Sequence, residues 1–287
     1  YARSTERSRI DNLQAAGRRR EMVPLLIVRA ARTPPDIEAI RWLGQIQQAL
    51  GNYPAAEAAY RRAVAVLRAD PGRDAAVLAD SIAGVAAALD ARDRSAEAEA
   101  MLREALAILP RTEAQRDREF KLLNNLAGAV MSQGRTAEAE AIYRGVIAGR
   151  RGGDPLDLAL ALSNLSVALS GLNRLGEAAQ VQGEATALRR ANLPADDPLV
   201  ALSESIQAGI EEERNGYAAG LALRRSAYAI YRKTLGPDHP RTAGAAQALA
   251  LALAHTRTDV KLMDQLLIEA RGVMSRLDPD SYNRIVN

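Results

Sequence analysis

The sequence predicts an all-α fold built of antiparallel helix pairs, each stacked on the next. Three observations carry this. A helix–turn–helix unit of about forty residues recurs along the chain. Its clearest copy runs from Lys121 to Ile147. There Leu122, Leu123, Leu126 and Val130 fall at helical spacing, Gly134 marks a turn, and Ala139, Tyr143, Val146 and Ile147 resume the spacing. Neither helix can bury its stripe alone, so the unit needs copies of itself as neighbours. No stretch shows the period-two alternation of a strand. Finally, 48% of the 287 residues are hydrophobic but only 3% are aromatic, fewer than a single globular core of this size would use. Alanine takes their place; it favours helix and lets helices approach closely.

In chain order, residues 1–36 predict two basic helices broken at Ala16-Gly17, in the manner of a divergent capping repeat. Ser4 or Thr5 would cap the first helix, and Pro34-Pro35 would end the second. Pro24 sits early in that helix, where a missing N–H costs less than in the middle. The repeats follow at about 37–68, 79–110, 120–151, 159–190, 201–233 and 243–275, leaving 276–287 as a tail. Asp70-Pro71-Gly72, Gly152-Gly153-Asp154-Pro155 and Gly236-Pro237 read as stop signals between them. After the leucine or valine of each first helix comes a small residue: Gly44, Ala86, Ala127 or Ser166. Small side chains there let the second helix cross closely.

The pattern of Leu-Gly/Ala in the first helix, Gly-x-Tyr at the turn, Ala, Tyr and Ala in the second, and a closing Pro resembles the tetratricopeptide repeat. Taking Ala56, Ala98, Ala139, Ala178 and Gly220 as the marker, the steps are 42, 41, 39 and 42 residues. A spacing near 42 resembles the kinesin-light-chain variety. So do Leu123-Asn124-Asn125-Leu126-Ala127 and the linker Leu235-Gly236-Pro237-Asp238-His239-Pro240. The resemblance covers roughly 37–255 and implies a right-handed α-solenoid, the tetratricopeptide superhelix, with the first helix of each pair (helix A) lining its concave face. Repeats five and six depart from it. Gln207 and Glu211 stand where apolar residues belong, which a one-residue shift of helix A would explain.

Composition narrows the chemistry. There is no cysteine, so disulfides and thiolate zinc sites are excluded, while cytoplasm and periplasm both stay open. No apolar run approaches the eighteen residues of a membrane span. The chain starts at Tyr1, which reads as a processed or excised piece of a longer protein. Residues 1–33 hold eight arginines against three acids. Yet 35 of the 38 cations are Arg throughout, which reads as the codon bias of a GC-rich bacterial genome. Without aromatic–basic interleaving, no nucleic-acid partner is expected. Of the two histidines, His239 lies in a linker as loop or cap and His255 ends a helix. No ligand spacing such as His-Glu-x-x-His appears, so no catalytic residue, metal or cofactor is assigned and the segment is read as non-enzymatic.

What remains is a binding surface for a protein or peptide, or for another domain of the same full-length chain. The concave-face candidates are Arg41, Trp42, Gln45 and Gln48 in repeat one. Repeat three offers Lys121, Asn124, Asn125, Gly128, Met131 and Ser132, and repeat four Ser163, Asn164, Val167 and Ser170. Lys121 and Asn125 are four apart, hence on one helix face. Lys121, Asn125 and Asn164 resemble part of the clamp that some family members use on peptide C-termini. Leu202 and Ile206 stand where its third-helix cations would be, so an extended-peptide groove is the broader expectation. Trp42 either anchors a ligand or packs on the N-terminal helices; Asn124 and Asn125 either line the groove or bridge helices. Two other readings stay open: a ligand-gated regulator that changes curvature, and self-association through the ragged sixth repeat at Leu262, Leu266 and Leu267.

Overall fold

In a computed structural model of the chain, residues 2–277 other than 71 and 73 are described; the expected tail from 278 onward lies outside them. They form fourteen α-helices and no strand. These are α1 (Ala2–Ala15), α2 (Arg19–Ala30), α3 (Ile37–Ala49), α4 (Tyr53–Ala69), α5 (Ala75–Asp90), α6 (Ser95–Ile108) and α7 (Arg116–Ser132). Then come α8 (Thr136–Arg150), α9 (Pro155–Gly171), α10 (Leu175–Asn192), α11 (Pro198–Asn215), α12 (Tyr217–Leu235), α13 (Pro240–Thr256) and α14 (Val260–Leu277). The chain forms two compact units, Tyr1–Ile142 and Tyr143–Asn287. In the first, each helix from α2 to α6 packs on the one that follows it; in the second, the same holds from α9 to α13.

The first helices of the pairs begin earlier than their apolar stripes indicate. Asp154 and Asp197 accept backbone N–H groups from Leu156 and Leu199 at 2.7 Å each, and the His239 Nδ1 accepts from Arg241 at 3.1 Å. Pro155, Pro198 and Pro240 therefore open α9, α11 and α13, and the linker proline serves as a start. A proline in the first turn loses only an N–H that has no helical partner. At the other end of the chain α1 already begins at Ala2, so Ser4 and Thr5 lie at positions inside the helix and not at its start.

A fixed frame holds the pairs together. Gly44 and Ala56, Ala86 and Ala98, Ala127 and Ala139, Ser166 and Ala178, and Ala208 and Gly220 are each twelve residues apart. Ala208 is fully buried, and a Cβ on Gly220 would lie 2.8 Å from its carbonyl oxygen. Helix α11 thus keeps the frame and has not shifted by a residue. Gln207 and Glu211 stay half-buried, while Glu212 makes an ion pair with Arg224 at 2.6 Å on the crossing. Four residues after the second marker, the frame places Tyr60, Leu102, Tyr143, Gln182 or Arg224.

Charge adds a second layer of cohesion. Glu57 on α4 is buried and accepts from Arg61 at 2.8 Å and from Arg92 and Arg94, which follow α5. Burial works against its carboxylate, but the Arg61, Arg94 and Arg92 guanidiniums outweigh that and hold its pKa below the usual value. At the N-terminus, Ile10, Leu13, Met22 and Leu26 pack with Ala39 and Ile46, fixing α1 and α2 on α3. Four of the eight arginines there are committed: Arg7 to Glu38, Arg18 to Glu21, Arg29 to Asp36 and Arg32 to Glu6. No described helix is long and apolar enough to cross a membrane.

Candidate functional site

In the first unit, α3 and α7 carry exposed polar positions. Lys121 and Asn125 are both exposed on α7, one turn apart, and neither has a polar partner among the described residues. Gln45 on α3 is exposed as well. Asn124 is half-buried and already engaged, and Met131 and Gly128 are half-buried on the same helix. A guanidinium with a neighbouring carboxylate is a weaker ligand for a new anion, and that is the state of Arg41. Its Nη2 donates to Asp80 on α5 at 3.3 Å, and the other Asp80 oxygen accepts from Arg118 Nε on α7 at 2.8 Å. The chain Arg41–Asp80–Arg118 ties three first helices together and holds one more cation than anion. Its members lie 39 and 38 residues apart, so no local pattern announces it.

Trp42 packs on the cluster that fixes the N-terminal helices. It packs against the cluster of Ile10, Leu13, Met22 and Leu26, and is only partly exposed.

In the second unit, α9 carries no charge after Asp157. Val167 is exposed, and half-buried Asn164 one turn before it is already engaged. Ser163 is buried, and its hydroxyl, like that of Ser170, is enclosed without a partner among the described residues; neither is presented to a ligand. Under this face lies a polar seam that the periodicity could not foretell. Gln182 on α10 is fully buried: its Oε1 accepts from Ser166 Oγ of α9 at 2.9 Å, and its Nε2 donates to the Ser203 carbonyl of α11 at 3.1 Å. Arg189, also buried, donates from Nη1 to Ser203 Oγ at 2.5 Å and has no carboxylate partner among the described residues. Burial depresses its pKa, only partly offset by Tyr231 and Asp197.

The histidines have structural settings. His239 caps α13. His255 stacks on the Tyr217 ring, with centroids 3.9 Å apart and planes at 4°. No group of three or more His, Asp or Glu that could hold a metal ion occurs among the described residues.

Family models described as tetratricopeptide repeat match residues 36–111, and again 121–151, 158–199 and 210–241. The chain belongs to the tetratricopeptide-repeat family. Within the matched residues the first helices of the pairs are α3, α5, α7, α9 and α11, and the polar pair Lys121–Asn125 lies on one of them. No curated protein matches the chain in sequence. Solved structures match its fold. Kinesin-light-chain TPR-like repeats from Podosopora anserina align with a TM-score of 0.58 at 20% identity, over 71% of this chain and 97% of that one. BtubC (BKLC) from P. vanneervenii aligns at 0.60 and 19%, over 79% and 92%. A Rap protein complexed with Competence and Sporulation Factor aligns at 0.68 and 14%, over 89% and 73%.

Proposed function

We propose that this tetratricopeptide segment is a non-catalytic interaction module that holds an extended peptide or a partner-protein segment on its helix-A face. The observation that carries the reading is the pair Lys121 and Asn125: exposed, unpartnered among the described residues and one turn apart. An amide can satisfy both the N–H and the C=O of a peptide backbone without reading its sequence. Lys121 adds attraction for a carboxylate, worth about 0.2–1 kcal/mol when exposed. Micromolar affinity needs about 8 kcal/mol, so further contacts such as Gln45 and Met131 must contribute. Arg41 and Trp42 serve as architecture beneath them. In the second unit, Val167 and Asn164 offer an apolar and a polar contact on α9. The Rap conjugation gene regulator of the plasmid pLS20, solved in complex with the Phr* peptide, is similar in fold, which supports a peptide-sized ligand. In this reading the module serves a larger bacterial signalling or regulatory protein, and its partner is either separate or a domain of the same chain.

The test is peptide selection from a random display library on the folded protein, followed by affinity measurement against Lys121→Ala/Asn125→Ala. Loss of one hydrogen bond and one exposed ion pair predicts a drop of about 5–30-fold at unchanged helicity. Selected peptides that bind both proteins equally would remove the helix-A face of α7 from the site.

A second reading, a ligand-gated regulator, is favoured by the seam at Gln182. Hydrogen bonds that join α9, α10 and α11 can be exchanged for water or ligand more readily than an aromatic ring can be unpacked. If ligand binding changes amide exchange across α9–α11 while Lys121→Ala/Asn125→Ala leaves affinity intact, this second reading replaces the first.

A further inference from the structure

The twelve-residue frame also spans the first pair. Ile10 on α1 and Met22 on α2 are twelve apart, and both are fully buried. The frame then shows where α2 departs from the second helices that follow it. Five and six residues after the second marker, the next five pairs hold at least one charged residue and no large apolar one, from Arg61-Arg62 to Arg225-Ser226. Charges at these positions bind neighbouring second helices, as Arg103 of α6 does Glu138 of α8 at 3.2 Å. In α2 the same positions are Ile27 and Val28, exposed by 51% and 62%. The last pair also carries apolar residues there. Leu266 is buried and Leu262 packs on the core of its own pair, leaving Leu267 exposed beside Ile268. Asp264 and Arg271 flank that spot with opposite charges, so charge selects no partner for it.

Around Ile27 and Val28 the charge has one sign. Arg20, Pro24, Ile27 and Val28 are all exposed and fall on one helix face. Arg19 and Arg20 have no polar partner among the described residues. Arg62 of α4 donates from Nη2 to the Ala30 carbonyl of α2 at 2.8 Å and has no carboxylate partner among the described residues. The one acid of α2, Glu21, is held by Arg18. Three cations without counter-charge repel a second copy of the same face and attract an anionic one. Two bare aliphatic side chains among them need an apolar phase as well. A bilayer interface supplies both, phosphates at the height of the guanidiniums and acyl chains below. We propose that the exposed face of α2 seats the first pair on an anionic lipid surface, with Ile27 and Val28 entering the acyl boundary and Arg19, Arg20 and Arg62 meeting lipid phosphates. This face is separate from the helix-A face that holds the peptide.

The test is co-sedimentation of the full chain with vesicles of phosphatidylcholine alone or of equal parts phosphatidylcholine and phosphatidylglycerol. Binding to the anionic vesicles only is expected. Ile27→Ser/Val28→Ser alters exposed positions and should keep its helicity, while its partition falls at least about tenfold. Arg19→Gln/Arg20→Gln should lower partition at least about fivefold and flatten its dependence on salt. Undiminished partition of the serine variant would overturn the proposal, because charge alone would then drive binding. Equal binding to the two kinds of vesicle would overturn it as well. Capture of soluble polyglutamate through Ile27 and Val28, without vesicle binding, would assign the face to an acidic protein instead. A mass that rises with concentration in the parent but not in the serine variant would assign it to a second copy.

Discussion

The ring of Tyr60 closes so tightly on Gly84 that a Cβ at residue 84 would lie 2.5 Å from its Cε1. The same ring faces Gly44, where a Cβ would lie 2.9 Å away. One aromatic side chain on α4 therefore spaces α3 from α5, and both helices present glycine to it. A methyl group at 84 would push the ring toward Gly44, where no space exists. Overpacking of this kind costs about 1–3 kcal/mol, and the better helix propensity of alanine returns at most about 1 kcal/mol. Gly84→Ala should lower stability in urea unfolding. Gly84→Ala/Tyr60→Leu should recover part of the loss, since Leu102 fills the equivalent position in the next repeat. Additive losses in the double variant would mean the ring is not the obstacle.

Tyr60 also makes the fold sensitive to alkali. Burial pushes its pKa up to about 12, against a smaller opposing pull from Arg41. The raised folded-state value means that stability is intact below the ordinary tyrosine pKa of about 10 and is lost as pH rises from there through 12. A rise of that size corresponds to about 2–3 kcal/mol. Tyr60→Phe should flatten that part of the alkaline profile, measured as urea stability between about pH 9 and 12. An unchanged slope would place the alkaline sensitivity on Tyr228 or Tyr231, whose pKa values burial also raises.

Much of this is legible in the residues, and the limits have physical causes. The twelve-residue pairing of small side chains is a local rule, so it survives in α11 even where Gln207 replaces leucine. Pro155 reads as part of a stop because proline excludes the preceding residue from helix but not itself from a first turn. Of the expected site, Lys121 and Asn125 depend only on helix phase and are exposed as expected. Arg41 reads as a ligand contact because Asp80 and Arg118, its electrostatic neighbours, sit one and two repeats further along the chain. The seam around Gln182 escapes for a related reason. A glutamine at a core position looks like a fault in the pattern until Ser166 and Ser203 are placed against it.

That seam predicts unequal costs for similar truncations. Removing the Gln182 amide takes one donor from the Ser203 carbonyl of α11 and one partner from Ser166 Oγ, which keeps the Ser163 carbonyl. Each lost buried hydrogen bond costs about 0.5–1.5 kcal/mol, on top of the cavity. Gln182→Ala should therefore destabilise the second unit clearly. Gln180→Ala, at an exposed position of the same helix, should change stability by less than about 0.5 kcal/mol. Amide exchange resolves the location: for Gln182→Ala, protection should fall in α9–α11 and not in α3–α5. A uniform loss across both units would contradict a local seam.

Arg189 predicts the opposite sign. Its side chain is 3% exposed, has no carboxylate partner among the described residues, and spends one N–H on Ser203 Oγ. Burial of a charge without an ion partner is unfavourable, and well-packed apolar replacements of buried ionic groups are often neutral or stabilising by about 1–4 kcal/mol. Methionine keeps much of the length of the side chain, but alone it would leave the Ser203 hydroxyl unmatched. The informative variant is therefore Arg189→Met/Ser203→Ala. It should equal or exceed the parent in urea stability, while Arg189→Ala should fall below it through the cavity it opens. If the double variant is instead less stable by more than about 1 kcal/mol, the buried guanidinium contributes through its charge, and the pull of Tyr231 and Asp197 outweighs its desolvation.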